Sequence, residues 1–439
     1  MIFAFNLFLL IADQFMLFLI NLMVARHAGT SAFGDFTVAV NALFLIGTLM
    51  TMGLDSIVAH FIPKYYVKKK HLEIHALAIS IRNFLQPIYL SFFVGSLLLS
   101  SAIIALGYSL EDIQQFNISH LITLFLWGAI VVSIYNIYIQ LFRAVGFMRT
   151  AVILNMLQTI LYFLFTVFTY LYFNDILFHN NSQYFAHIML IIIILSYIVI
   201  GILFIIIHQK TKLKLHVGDG DDIKIKTTAW KNKIVGYTIQ NLDRYAFTVT
   251  PLLLTEWLKK DTYIVGLFSA VITIISLGFA ALSPINILIK PEISASFAQG
   301  RECLLNTTKK YIYICLAIAC LIVTVIGIFA DQILYLFKSN FIEVLPYIYI
   351  SLINLICYAV SMPLTLMIQY SSEGSKIGAQ FTIYILLAQI AACIIFISWL
   401  GLMGTMICYV GINIIYLITA FLIAYNIYQQ EPLEGHEIV

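Results

Sequence analysis

The stretch IFAFNLFLLIADQFMLFLINLMVA, residues 2–25, decides the class of this protein. It contains a single charged side chain, Asp13, and ends at Arg26. A helix needs about 20 mostly apolar residues to cross the hydrocarbon core of a bilayer. A secretory signal is shorter, opens with positive charge and closes on small residues. We therefore interpret residues 2–25 as a transmembrane helix.

The composition extends this interpretation to the whole chain. Of its 439 residues, 62% are hydrophobic and 10% are charged, and the formal net charge is +3. Soluble domains average about 45–50% apolar and about 25% charged residues. These values exclude a cytosolic enzyme, a secreted disulfide scaffold and a disordered chain. The small net charge also excludes a nucleic-acid binder, which needs a basic surface that neutralises phosphates.

The apolar runs predict an all-α polytopic protein with twelve transmembrane helices. A polar stretch from His208 to Lys233 divides them into two halves of six. We expect an N-terminal bundle at 1–207, a cytoplasmic linker at 208–233 and a C-terminal bundle at 234–439. The predicted spans are 2–25, 36–60, 83–107, 120–142, 151–173, 185–207, 234–254, 262–289, 311–330, 346–369, 377–399 and 404–428.

The distribution of lysine and arginine predicts the orientation. One alternating set of loops contains 19 basic residues and the other contains four, with Arg244 left inside a span. Basic residues accumulate in cytoplasmic loops. We therefore expect a multi-pass protein of the inner (plasma) membrane with both termini in the cytoplasm.

The two halves share a weak sequence repeat. The triplet Gly-Asp-Phe at 34–36 opens the second helix, and Gly-Leu-Phe at 266–268 lies at the start of the eighth. Halves with an even number of spans keep the same orientation, so the repeat is parallel. We expect two parallel six-helix bundles around a central cavity, which is the architecture of a transporter.

The first two helices contain a longer pattern, which consists of Ala25-Arg26, Gly29, Phe33-Gly34, Gly53-Leu54-Asp55 and the basic exit over 64–70. This pattern resembles the bacterial polysaccharide and O-antigen flippases, which belong to the superfamily of multidrug, oligosaccharidyl-lipid and polysaccharide exporters. The second half is similar at Val265–Ala270 and Pro291–Ser294. One departure is Ala59-His60, where many relatives place an arginine.

The resemblance implies a flippase and not an enzyme. It would move a polyprenyl-pyrophosphate-linked oligosaccharide across the inner membrane by alternating access, for synthesis of lipopolysaccharide O-antigen, capsule or exopolysaccharide. The alternative within the superfamily is a cation-coupled antiporter of drugs or other small molecules. The implied partners are the bilayer and the lipid-linked substrate, and we expect a monomer. No cofactor is implied beyond a coupling proton or sodium ion.

The sequence shows no motif for catalysis or metal binding. The six cysteines form no C-x-x-C pair, so they suggest neither a zinc site nor a disulfide framework. No predicted outer loop is large enough to house a catalytic domain, as a membrane glycan polymerase or ligase would require. We therefore expect no catalytic residues and no metal site.

Charged residues inside predicted spans are the first candidates for the transport site. A charge at mid-bilayer costs about 2.5–3.5 kcal/mol on insertion scales, so it must face a wet cavity or a partner. Asp13, Asp243 and Arg244 lie deep in their spans, and Asp55 lies nearer the cytoplasmic end. Asp13 or Asp243 could carry the coupling ion. Arg244 suits pyrophosphate because its donor fork matches two oxygens.

Polar residues that share one helix face are the second group of candidates. Such stripes can line a hydrophilic cavity, or they can form hydrogen bonds between helices. The stripes are Asn136, Gln140 and Arg143 on the fourth helix, Arg82 and Gln86 on the third, Asn155 and Gln158 on the fifth, and Gln240 and Arg244 on the seventh.

Overall fold

The computed structural model describes almost the whole chain, and the described part is nearly all helical. The all-α, multi-pass membrane class predicted from the sequence is confirmed. The described residues are 2–67, 71–105, 122–144, 147–180, 182–211, 230–231, 233–371 and 374–430.

The first half of the chain forms six of the described helices. They are α1 (Ile2–Thr51), α2 (Leu54–Val67), α3 (His71–Ala105), α4 (Ile122–Ala144), α5 (Met148–Asn180) and α6 (Ser182–Thr211). The second half forms α7 (Ile234–Ala246), α8 (Val249–Lys259), α9 (Thr262–Ala298), α10 (Arg301–Phe337), a 3-10 helix (Ser339–Val344), α11 (Leu345–Tyr370), α12 (Gly374–Leu400) and α13 (Leu402–Gln430).

Helix α1 covers the first predicted span and most of the second. Its apolar part, Ile11–Thr51, is 41 residues long. At 1.5 Å per residue such a helix would measure about 60 Å, roughly twice the thickness of the hydrocarbon core. Gly29 interrupts it with φ 85° and ψ 176°, a conformation that glycine adopts without steric cost. The element therefore consists of two helices joined by a sharp bend.

Two predicted spans are each interrupted by residues that are not helical. The second, 36–60, is interrupted at Met52 and Gly53, which have φ values of 49° and 68°. The seventh, 234–254, is interrupted after α7 and continues as α8 to Lys259. Among the described residues, ten helical stretches are long and apolar enough to cross a membrane. This count is consistent with the twelve predicted spans, because the first two form one helical stretch bent at Gly29 and the seventh is divided into two short pieces.

Several helices extend beyond the apolar runs that predicted them. α3 begins at His71, α9 ends at Ala298, and α10 runs from Arg301 to Phe337. A helix satisfies its own backbone hydrogen bonds, so it can continue into the polar headgroup region. Both ends of the predicted linker, 208–233, are structured. At its start α6 continues to Thr211, and near its end Trp230 is buried. Residues 212–229 of that linker lie outside the described part of the chain.

The helices group into two compact units. Unit 1 contains Met1–Leu9 and Asp35–Leu242, and unit 2 contains Leu10–Gly34 and Asp243–Val439. The division into bundles at 1–207 and 234–439 stays a prediction. The contacts differ from it at two segments, because most of the first span packs in unit 2 and the start of α7 packs in unit 1.

In unit 1, α4 packs against α2, α3, α5 and α6. An apolar cluster joins α2 and α3 to the start of α7, where Ile234 and Tyr237 are buried, and to Trp230, which is buried four residues before α7. The Trp230 ring meets Phe84 edge to face, with centroids 6.0 Å apart. The burial of Ile234 and Tyr237 in the same cluster explains why the beginning of α7 belongs to unit 1.

In unit 2, α11 packs against α9, α10 and α13, and α12 packs against α8 and α13. The residues of α1 just after its bend pack in this unit. The ring centroid of Phe33 lies 6.3 Å from that of Phe337 and 6.2 Å from that of Phe341. Phe18 also meets Phe337, at 5.9 Å. These edge-to-face contacts hold Leu10–Gly34 in unit 2.

Candidate functional site

The predicted site residues are distributed over both units. Unit 1 contains Arg82 on α3, Asn136, Gln140 and Arg143 on α4, Asp55 on α2 and Gln240 on α7. Unit 2 contains Asp13 on α1 and Asp243 and Arg244 at the end of α7.

Asp55 is the predicted site residue with the best-defined surroundings. Its side chain is 8% exposed, and Oδ1 accepts a hydrogen bond of 2.7 Å from Nδ2 of Asn241. The Thr51 hydroxyl donates a longer bond of 3.4 Å to the same oxygen. Ser56 in turn donates to Oδ1 of Asn241 at 3.0 Å. This network ties α2 to α7 within unit 1, and the role of Asp55 in transport stays a prediction.

The break between α1 and α2 brings this network together. Gly53 has φ 68°, and a Cβ added there would lie 2.6 Å from the backbone nitrogen of Thr238. Only glycine allows so close an approach at this conformation. The start of α2 therefore lies directly against α7, with Asp55 opposite Asn241. Asn241 is not among the predicted site residues because it points about 100° away from the helix face that carries Gln240 and Arg244.

The remaining candidates of unit 1 differ in exposure. Asn136, Gln140 and Arg143 are half-buried along α4, and Gln240 is half-buried on α7. Arg82 is exposed on α3.

The stripe on α5 proves to be hydrogen-bonded within unit 1. The Tyr135 hydroxyl donates to Oδ1 of Asn155 at 3.1 Å, and Nε2 of Gln158 donates to the Ser196 hydroxyl at 2.9 Å. Gln158 is buried among these helices. For Gln158 and Asn155, the interhelical alternative therefore describes the observed contacts.

Asp13 is a deeply buried carboxyl in unit 2. It is 3% exposed, and Nε2 of its neighbour Gln14 lies 3.3 Å from Oδ2. The side chains of Asp243 and Arg244 lie outside the described part of the structure, although their backbone belongs to α7. The roles predicted for these three residues stay predictions.

Glu256 is a second buried carboxyl of unit 2 that sequence reasoning missed. It lies on α8 and is 3% exposed. Its neighbour Thr255 forms a hydroxyl–hydroxyl hydrogen bond of 2.8 Å with Thr405. The predicted seventh span ended at residue 254, which left Glu256 in a loop, whereas α8 continues to Lys259. A span prediction extended over the whole apolar run would have found it.

The polar rim of unit 2 is formed by the ends of α9, α10 and α13. Hydrogen bonding from Tyr311, together with Lys310, holds the pKa of the Glu292 carboxyl below its usual range. Nζ of Lys310 lies 3.5 Å from Oε2 of Glu292. The Arg301 guanidinium lies 4.3 Å from the centre of the Tyr428 ring. These contacts join the helix ends of unit 2 outside the apolar region.

The described residues contain no group of three or more His, Cys, Asp or Glu side chains that could hold a metal ion. The cysteines at 315, 357, 393 and 408 are buried and unbridged, as the burial preference of free cysteine predicts.

The comparisons with known proteins identify the fold. No family model matches the chain, and no curated protein matches it. Solved structures match over nearly its full length. An outward-facing multidrug resistance MATE family transporter of the MOP superfamily has a TM-score of 0.66 and 16% identity, covering 96% of this chain and 93% of the other. The inward-facing structure of a multidrug resistance MATE family transporter has a TM-score of 0.67 and 15% identity, covering 96% of each chain.

A third match comes from Pyrococcus furiosus. It is a MOP superfamily transporter described as having a binding pocket of reverse polarity that suggests a different function. Its TM-score is 0.68 at 17% identity, covering 98% of this chain and 95% of the other. The chain therefore has the fold of the MATE transporters of the MOP superfamily. The nearly equal scores of the outward- and inward-facing structures show that the similarity identifies the fold and not a conformational state.

Proposed function

We propose that the protein is a membrane transporter that works by alternating access. Near-complete coverage by the MATE transporter fold is the observation that carries this proposal. Because fold alone does not determine substrate, the substrate must be argued from the chain's own residues. Transporters of one fold can carry cations, drugs or lipid-linked sugars.

We propose further that the transported substrate is a polyprenyl-pyrophosphate-linked oligosaccharide, moved from the inner to the outer leaflet for O-antigen or related polysaccharide synthesis. The support is the flippase-like pattern that includes Gly29, Gly34 and Gly53. Arg244 lies inside the predicted seventh span, and its permanently charged guanidinium suits a pyrophosphate. The half-buried Asn136, Gln140, Arg143 and Gln240, with the exposed Arg82, supply further polar groups.

The second candidate is a cation-coupled antiporter of drugs or other small molecules. The solved structures described as multidrug resistance transporters favour it. Carboxyls inside the membrane cost free energy to bury and often mark proton or ion pathways. Asp13 and Glu256 are two such groups, and Asp243 is a third by sequence. The same residues could couple a flippase to a proton or sodium gradient.

The orientation and assembly are also part of the proposal. The excess of basic residues in one set of loops supports cytoplasmic termini in the inner membrane. The protein would act as a monomer in contact with lipid, with no enzymatic step. Polar substrate groups would travel inside the protein while the polyprenyl chain remained in lipid.

The deciding experiment compares a deletion strain, the same strain carrying the wild-type gene, and one carrying an empty vector. Lipid-linked glycans of each leaflet and sensitivity to a panel of cationic drugs are measured in all three. Accumulation of an inner-leaflet lipid-linked glycan, reversed by the gene, would support the flippase. Drug sensitivity without accumulation would support the antiporter. If the deletion causes neither accumulation of the lipid-linked glycan nor drug sensitivity, both candidates are contradicted.

A further inference from the structure

Two buried cysteines of unit 2 lie on neighbouring helices, Cys393 on α12 and Cys408 on α13. Their side chains are 0% and 3% exposed. They share a side-chain hydrogen bond, so the two sulfurs are in contact. Both are free thiols in this structure. We propose that these two cysteines form a redox-active pair, which hydrogen peroxide converts reversibly into a disulfide that links α12 to α13.

The turn between α12 and α13 sets the register that brings the two sulfurs together. Gly401 forms this turn with a φ of 57°. Cys393 precedes Gly401 by eight residues and Cys408 follows it by seven, so the two cysteines lie at the same level of an antiparallel helix pair. At 1.5 Å per residue, that level is about 10–12 Å from the turn. By the predicted orientation this turn lies on the outer side of the membrane, where disulfides persist.

A close approach of the two helix backbones suits a covalent link between them. A Cβ added at Gly404 would overlap the carbonyl oxygen of Phe396, so α13 packs backbone to backbone on α12 at this level. Cys408 lies one turn further along α13 than Gly404 and therefore on the same helix face. A disulfide needs two Cα atoms about 4.4–6.8 Å apart, which requires helices packed this closely.

The surroundings of the pair favour a disulfide over a bound metal ion. Ile397 is buried in the same apolar cluster, and Ala392 packs against it together with Leu254 and Leu258 of α8. A dithiol and a disulfide are both neutral, so neither leaves a charge among these side chains. A monovalent metal ion held by two thiolates would leave a net negative charge, which is costly to bury without a partner.

The proposed oxidation has two steps and consumes one molecule of hydrogen peroxide. The sulfur of one cysteine attacks a peroxide oxygen, so an S–O bond forms, the O–O bond breaks, and a sulfenic acid and one water result. The sulfur of the other cysteine then attacks the sulfenic sulfur, so the S–S bond forms, the S–O bond breaks and a second water leaves. The sulfurs lose two electrons to the peroxide, and both thiol protons end in water. A dithiol reductant reverses the reaction by thiol–disulfide exchange. This inference does not depend on the transported substrate.

The test is peptide mapping of the full-length wild-type protein in lipid nanodiscs, before and after treatment with hydrogen peroxide. Free thiols are blocked with N-ethylmaleimide while the protein is denatured. We expect a linked peptide that contains Cys393 and Cys408, and a several-fold greater loss of free thiol at these two than at Cys315, which is also 0% exposed in unit 2. Dithiothreitol should restore both thiols. Equal blocking of all three cysteines, or oxidation of Cys393 or Cys408 without a linked peptide, would overturn the proposal.

The melting temperature tests the link between the two helices. A cross-link restricts the unfolded chain, so peroxide should raise the melting temperature of the wild-type protein. Cys393→Ala should abolish both the linked peptide and this rise. The matched control is Cys315→Ala, which shortens another buried cysteine of unit 2 and should keep both. A rise that persists in folded Cys393→Ala protein, or no rise in fully linked wild-type protein, would overturn the proposed link. The peptide map of the wild-type protein decides if the variant does not fold.

Discussion

Gly34 of α1 and Gly266 of α9 pack backbone to backbone inside unit 2. A Cβ on Gly34 would lie 2.8 Å from the backbone nitrogen of Gly266. A Cβ on Gly266 would overlap the carbonyl oxygen of Thr30. These glycines open the two triplets of the weak sequence repeat. The corresponding positions of the repeat are therefore in contact, and close packing is the physical reason for a glycine at each.

Replacement of Gly266 by alanine should destabilise the protein. The obstructing atoms belong to the backbone around Thr30 and cannot move aside like a flexible side chain. Overpacking of this kind costs about 1–3 kcal/mol or more. The melting temperature in detergent measures the effect. Gly411→Ala is the matched control because a Cβ there meets nothing within 4 Å. The control should be neutral or stabilising by up to about 1 kcal/mol. Equal stability of the two variants would contradict the packing argument.

Asp55 and Asn241 should be energetically coupled. Removing either partner leaves a buried polar group of the 2.7 Å hydrogen bond unsatisfied, at a cost of about 1–3 kcal/mol. Asp55→Ala and Asn241→Ala should therefore each lower the unfolding free energy, and the double variant should lose less than their sum. Asn41→Ala is the control, because the Asn41 amide donates to the Thr37 carbonyl one turn away on its own helix. Additive losses for Asp55 and Asn241 would show that the bond is not significant in solution.

Asp13 tests the coupling of transport to an ion gradient. If this buried carboxyl carries the proton or sodium ion, Asp13→Asn should abolish gradient-dependent transport in proteoliposomes, because the amide cannot be ionised. Glu256→Gln makes the same change at the other buried carboxyl of unit 2. Correct insertion is checked by size-exclusion chromatography. Normal gradient dependence in Asp13→Asn would leave Asp13 with a structural role.

Arg244 distinguishes a substrate phosphate from a protein partner. If it binds pyrophosphate, Arg244→Lys should retain part of the transport rate, and Arg244→Ala should lose it in folded protein. If it pairs with Asp13, each single removal should destabilise the protein and the double variant should recover stability. Transport assays and melting curves on the same preparations separate these outcomes. Full transport by well-expressed Arg244→Ala would eliminate both.

The orientation is tested by cysteine labelling in intact cells. In a background without the six native cysteines, Lys224→Cys should resist membrane-impermeant maleimide, and Ser182→Cys should react. Both should react after the cells are lysed, which confirms that each thiol is competent. The opposite pattern would reverse the predicted topology.

The all-helical membrane class could be predicted from the sequence because hydrophobic length is a local property. A run of about 20 apolar residues has few alternatives to a membrane helix, since bilayer lipid offers the backbone no hydrogen bonds. The glycines at 29, 34 and 266 were also visible as a pattern, although the reason for each was not.

Only the tertiary structure decided which side chains meet. The bond between Asp55 and Asn241 joins residues that are 186 positions apart, and no local pattern encodes that pairing. The seventh span was predicted to end before Glu256, but α8 continues and buries it. Likewise, Trp230 lies in a polar stretch by sequence and is buried against Phe84 in the folded chain. Burial and hydrogen bonding depend on neighbours distant in sequence, whereas hydrophobic length depends only on the residues themselves.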